Sequence, residues 1–240
     1  MNNPNKKLLS IKEAAKYLGI TEMTLRRWDK DGSFKPTFVS PGKHRYYSLS
    51  DLEKKTKGIF RLAEEWVIAE KSFTPEDEFY CATRDVFKAR YDKIANELSA
   101  KLTSGSLIAS AAGEIGNNSF DHNLGNWPDI SGILFAYDMG KRRIVLADRG
   151  VGILNTLQKV IPKLEDDKKA LEIAFTEVIT GRAPEHRGNG LKYTKAAIIE
   201  ADAKLLFQSG DAMLEINKND SLNVKDAKTP IQGCLAMIEF

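Results

Sequence analysis

The chain opens on helical spacing. Ile11, Ala14, Ala15 and Leu18 recur at three and four, behind the box Ser10-Ile-Lys-Glu13 in which hydroxyl and carboxylate satisfy each other's backbone amides. Gly19 is expected to stop that helix, and Thr21 to cap a second one that runs to about Asp31 and ends at Gly32. Phe34 to Val39, the turn Ser40-Pro41-Gly42 and Lys43 to Tyr47 then read as a small β-hairpin. A second box, Ser50 to Glu53, predicts the start of a third helix. From there to about Lys101 the pattern is helical (Ile59, Leu62, Ala63, Trp66, Val67), interrupted at Phe73-Thr-Pro75. After Ser104-Gly105 it predicts a helix, strands at Ile130–Tyr137 and Arg143–Ala147, and a long helical stretch. A helix from about Gly190 follows, then strands at Lys204–Gln208, Met213–Ile216 and Cys234–Phe240. The expected class is α+β: residues 1–57 a winged helix-turn-helix head, 58–101 a helical connector with possible dimer contacts, 102–240 a layered sandwich of helices on a sheet.

Composition narrows the class. In 240 residues, 42% hydrophobic and 29% charged, there is core enough without disulfides. Two cysteines without CxxC spacing exclude a disulfide scaffold and a zinc finger. No secretory stretch opens the chain and no apolar run reaches the roughly 18 residues of a membrane span, so a cytoplasmic protein without membrane contact is expected. The net charge of +3 is uneven: residues 1–60 carry thirteen Lys and Arg against six acids, +7, and the remainder carries −4. A basic head on a mildly acidic body fits a head that touches a polyanion.

On the second helix Leu25 and Trp28 mark the inward face, leaving Met23, Arg26, Arg27 and Lys30 outside. Arginine reads guanine edges bidentately, and either cation neutralises phosphate. The hairpin tip adds Lys43, His44, Arg45 and Tyr46. Together with Thr24 these are the expected contacts to double-stranded DNA. The run Leu9 to Trp28, followed by Pro41-Gly-Lys-His-Arg-Tyr46 and Asp51-Leu52, resembles the MerR/excisionase winged helix-turn-helix over roughly residues 8–55.

Three segments of the body carry chemistry. Glu114, Asn118, Asp121 and His122 fall on one stripe of a helix rich in Ala, Ser and Gly, where oxygen donors suit magnesium whose shell phosphates complete. Asp148-Arg-Gly150-Val-Gly152-Ile153 follows a strand, so that a carboxylate stands ready for the exocyclic amine of adenine and glycines let a base approach the backbone. Arg187-Gly188-Asn-Gly190-Leu191 opens a helix and reads as a phosphate cradle. No P-loop motif is present.

The order of these segments, with a last strand Gly233 to Phe240, resembles the GHKL (histidine kinase-like, Bergerat-type) ATPases over roughly residues 100–240. The resemblance implies ATP and Mg2+. Asn118 would hold the metal, Asp148 would bind adenine and Glu114 would orient or deprotonate a nucleophile. Gly150, Gly152 and Ile153 would line the base pocket, and Gly188, Gly190 and Leu191 would contact phosphates. Leu154–His186 would form a lid, with Arg182, His186 and Arg187 near the γ-phosphate and Asp121 and His122 behind the metal ligand. Residues 56–100 hold no histidine, which disfavours two-component autophosphorylation. The stretch Thr180 to Gly190 is similar to the anti-sigma-factor serine kinases. The expectation is an ATP-responsive, DNA-binding transcriptional regulator, a homodimer by default. The alternative is an anti-sigma-like serine/threonine kinase or slow ATPase acting on a partner protein.

Overall fold

The computed structural model describes residues 8–18, 20–32, 34–177, 190–219 and 222–240. Its contacts divide the chain into two units, residues 1–62 with 136–143, and residues 63–135 with 144–240.

In the first unit the predicted caps form as hydrogen bonds. Ser10 and Glu13 exchange backbone and side-chain bonds at 2.8 to 3.4 Å and start α1 (Ile11–Leu18). The Thr21 hydroxyl accepts from the Thr24 amide at 3.1 Å to start α2 (Glu22–Asp31), and Gly32 ends it at φ +80°, a left-handed conformation glycine adopts without strain. Gly19 lies outside the described residues. The hairpin is present as β2 (Phe38–Val39) and β3 (Arg45–Ser48). A strand the pattern did not announce, β1 (Leu8–Ser10), pairs with the other edge of β3, so the sheet runs β1-β3-β2, all antiparallel. Ala14, Leu18, Leu25, Trp28, Tyr47 and Leu52 are buried between helices and sheet, and Phe34 stacks on Tyr47 at 5.4 Å.

The third helix, α3 (Leu49–Ile68), starts earlier than expected. Its cap is Ser48, whose hydroxyl accepts from the Asp51 amide at 3.1 Å and donates to the Asp51 carboxylate at 2.7 Å. The Ser50 and Glu53 side chains lie outside the description.

A five-stranded sheet runs in the order β4-β5-β6-β8-β7. Its strands are β4 (Tyr80–Cys81), β5 (Ile133–Asp138), β6 (Arg143–Asp148), β7 (Lys204–Ile216) and β8 (Asn223–Glu239). β4 lies within the stretch read as purely helical. β7 corrects two expected strands into one, which crosses Gly210 through a bulge at Ser209–Ala212. β8 begins eleven residues before the expected Cys234.

Around the sheet lie α4 (Arg84–Lys101), α5 (Gly105–Asn123), α6 (Gly152–Gln158), α7 (Asp167–Thr176) and α8 (Gly190–Glu200). α5 is the central helix, packed by α4 and α8. A Cβ on Gly116 would stand 2.1 Å from the Phe87 ring, so this glycine is where α4 seats its aromatic against α5. The result is a mixed helix and sheet architecture, and among the described residues no helix is long and apolar enough to cross a membrane.

Candidate functional site

A cavity open to solvent is lined from six elements: Asn118, Ser119 and His122 of α5, Asp148 of β6, Gly152, Ile153 and Thr156 of α6, Leu191 of α8, Phe207 of β7 and Cys234 of β8. It is mostly apolar with a few polar groups, the composition usual for small-molecule sites. The expected residues Asn118, Asp148, Gly152, Ile153 and Leu191 therefore share one wall system, although they are spread over 74 positions of sequence.

Asp148 forms the polar end of this cavity at 2% exposure. One carboxylate oxygen accepts from the Ser119 hydroxyl at 2.7 Å and the other from the Gly150 amide at 2.9 Å. Burial pushes its carboxyl above the ordinary carboxylate value, against the pull of these donors and the Cys234 amide. Cys234 also lines the cavity, and burial raises its thiol well above the ordinary value, so it acts as a small apolar wall and not a nucleophile.

Gly190, the first residue of α8, abuts α5: a Cβ there would lie 2.7 Å from a Glu114 carboxylate oxygen and 3.1 Å from the Asn118 amide nitrogen. Glu114 and Asn118 thus stand together at the start of α8, as their spacing predicted. Asp121 instead pairs with Arg84 of α4. Arg182, His186, Arg187 and Gly188, and with them the last part of the expected lid, lie outside the described residues. Among the described residues no cluster of three or more His, Cys, Asp or Glu could hold a metal. A cation here would take most of its shell from a ligand.

Gly150 departs from its expected purpose. It lines a second, wider groove, shared with Gly152, and not the cavity around Asp148. A Cβ on it would lie 2.1 Å from the Asn123 amide nitrogen. Asn123 is 3% exposed and fixed at both ends, accepting from the Val151 amide at 2.8 Å and donating to the Ser119 carbonyl at 2.7 Å. Gly150 leaves room for this side chain. Asn123, Ser119 and Ser209 (which accepts from the Ile153 amide at 2.9 Å) are site-forming residues that the motifs did not flag. Asn123 lies one turn beyond Ser119, on a face of α5 about 100° from His122 and outside the flagged stripe.

In the first unit α2 presents Met23, 78% exposed, with Arg26, Arg27 and Lys30 on the surface. Arg26 is 3.5 Å from Glu22. Thr24 does not join them. It is 7% exposed, with its hydroxyl 3.1 Å from that of Thr21, because the cap turns it inward. At the hairpin, Lys43 takes a left-handed φ of 61°, His44 is exposed, and Tyr46 packs against Phe38 at 6.0 Å. The Arg45 guanidinium donates to Asp29 at 2.6 Å, which ties the hairpin to α2.

Residues 8–54 match the family model of a helix-turn-helix domain. The head is thereby that of a DNA-binding regulator, with the hairpin as its wing. Among curated proteins none matches the chain.

Proposed function

We propose that the helix-turn-helix head binds double-stranded DNA and that the second unit is a GHKL-type module that binds Mg-ATP, so that nucleotide modulates binding of DNA or of a partner protein by a homodimer. The observation that carries the reading is the shared cavity. Asn118, Asp148, Gly152 and Leu191 come from three separate segments, and a buried carboxylate stands at the end of walls formed by Ile115, Ile153, Leu191 and Phe207. Such walls suit a flat heteroaromatic base, and a carboxylate there suits an exocyclic amine. Glu114 and Asn118 beside the start of α8 suit the phosphate end, where helix amides favour anions. Magnesium, bound with the phosphates, would neutralise their charge. Asn118 would contribute an oxygen.

Within this reading the chain's own residues have separable tasks. Asp148 selects the base, held in place by Ser119 and Gly150. Gly152 and Ile153 are kept at the cavity wall by Ser209. Arg26, Arg27, Lys30, Lys43, His44 and Tyr46 meet the duplex, and Arg45 sets the wing against α2. A ligand shifts a regulator only by its difference in affinity for two states, so DNA affinity must differ with and without nucleotide.

The test is calorimetric titration with Mg-ATP alongside thermal unfolding, because a ligand that binds only the folded chain raises its melting temperature. Binding that is lost in Asp148→Asn, with its preference for adenine over guanine nucleotides, supports the reading. No heat and no thermal shift at millimolar Mg-ATP overturns it. A second reading rests on Glu114 at the start of α8: a serine/threonine kinase or slow ATPase with this carboxylate as base. Phosphate release or transfer to a partner that disappears in Glu114→Ala would establish it.

A further inference from the structure

The residue between Asp148 and Gly150 has a separate role. Arg149 is 1% exposed, and all five guanidinium N–H groups are occupied. It donates twice to one Asp129 oxygen, at 2.9 and 2.7 Å, and at 3.2 Å to the Gln232 side-chain carbonyl. It also donates to the backbone carbonyls of Trp66 at 2.5 Å and Ala69 at 2.9 Å. Gln232 returns a bond to the Arg149 carbonyl at 3.3 Å. Trp66 and Ala69 stand at the C-terminal end of α3, where the last carbonyls lack intrahelical partners and the helix dipole favours a cation. Arg149 is therefore the C-terminal cap of α3, supplied from 80 positions away. The first turns of α3 belong to the other unit, where Leu52 is buried and the Lys55 ammonium lies 4.2 Å above the Trp28 ring.

We infer that Arg149 is the positioning residue through which occupancy of the cavity acts on helix α3, and so on the helix-turn-helix head. The inference rests on the nucleotide reading above and assigns its route. The Asp148 carboxylate already accepts from Ser119, Gly150 and the Cys234 amide, so a ligand amine that joins them pulls on the turn that carries Arg149. With every donor used and almost no exposed surface, the guanidinium has no slack. Movement of its backbone is passed to the two carbonyls that end α3 or breaks those bonds.

The experiment uses the full chain, Mg2+ with a non-hydrolysable ATP analogue, and a duplex enriched by the wild-type protein from a randomised pool. Amide hydrogen exchange at residues 65–71 and duplex affinity are each measured with and without analogue. Coupling of ordinary size predicts a change of about fivefold or more in both for wild type. Arg149→Met should keep analogue affinity within about threefold while both responses fall below about twofold, and Arg149→Lys should recover part of them. Full responses in Arg149→Met overturn the inference. If the wild type does not bind the analogue, the nucleotide reading fails first. If it binds with no change at residues 65–71, the nucleotide reading survives and this inference alone falls. Should Arg149→Met fail to fold, the wild-type exchange decides, together with Gln232→Leu, in which the inference requires a weakened response.

Discussion

The contact between Gly150 and Asn123 gives a sharp energetic test of how the Asp148 turn is built. Gly150 is absent from the positive-φ glycines, so alanine there meets no backbone strain and would ordinarily gain about 0.4–1 kcal/mol from a less flexible unfolded chain. The new methyl, however, would sit 2.1 Å from the Asn123 amide nitrogen and 2.3 Å from its carbon and oxygen. The amide must move by more than an ångström, and its bonds to Val151 and Ser119 cannot follow. Two lost bonds at about 1 kcal/mol each, and a Val151 amide left without its acceptor at about 1–3 kcal/mol, outweigh the entropic gain, for a net loss of about 2–4 kcal/mol. In a unit of this size that lowers the melting temperature by roughly 5–15 °C. Asn123→Ala loses the same two bonds and should cost a similar amount. Because the losses are shared, Gly150→Ala/Asn123→Ala should be no less stable than Asn123→Ala alone, a coupling of about 2 kcal/mol. Urea unfolding of the four proteins measures the cycle. Additivity within about 0.5 kcal/mol, or a Gly150→Ala as stable as wild type, would refute the packing argument.

Three further outcomes follow from single residues. Burial raises the Asp148 carboxyl, so the folded chain holds that proton more tightly than the unfolded one. Its contribution is complete below the ordinary value of 3.8 and is lost as pH rises through the raised folded value. Asp148→Asn should flatten this part of the stability–pH curve, and an unchanged slope counts against it. The Tyr47 hydroxyl is buried without a hydrogen-bond partner among the described residues, so Tyr47→Phe should leave stability equal or raise it by about 1 kcal/mol, as read by thermal unfolding of residues 1–62 in the full chain. Arg27→Ala should weaken duplex binding and reduce the slope of log affinity against log salt by about one, whereas Thr24→Ser, at a buried position, should leave that slope unchanged.

What the sequence disclosed was mainly local chemistry. Ser10 with Glu13, Thr21 and Gly32 fix their helix ends through atoms three or four residues apart, so reading them needs no knowledge of the fold. The third cap was misplaced because Ser48-x-x-Asp51 and Ser50-x-x-Glu53 both fit the same pattern, and only the end of β3 selects the first. Strands of two or three residues, β1 and β4, are too short to show alternation. Residues 223–230 are largely exposed, so the start of β8 has no apolar period and forms through its pairing with β7. The gap left between the expected strands Lys204–Gln208 and Met213–Ile216 is a bulge in one strand. At the site, Asn118, Asp148 and Leu191 could be named from motif order, while Arg149 and Gln232 could not, since most of their partners lie 80 or more positions away.

The juxtaposition of Asp148 and Arg149 explains why such a turn can serve two purposes. Neighbouring residues at the end of a strand leave the backbone on opposite sides. The carboxylate therefore meets Ser119 of α5 at the cavity, and the guanidinium meets Asp129 and the end of α3 away from it. The two buried charges have separate partners, so neither neutralises the other. Each would cost several kcal/mol if its own partners were removed. A small displacement at this turn must therefore be accommodated by both sets of bonds at once, which makes the strand end a joint between the cavity and α3 and not merely a wall of the cavity.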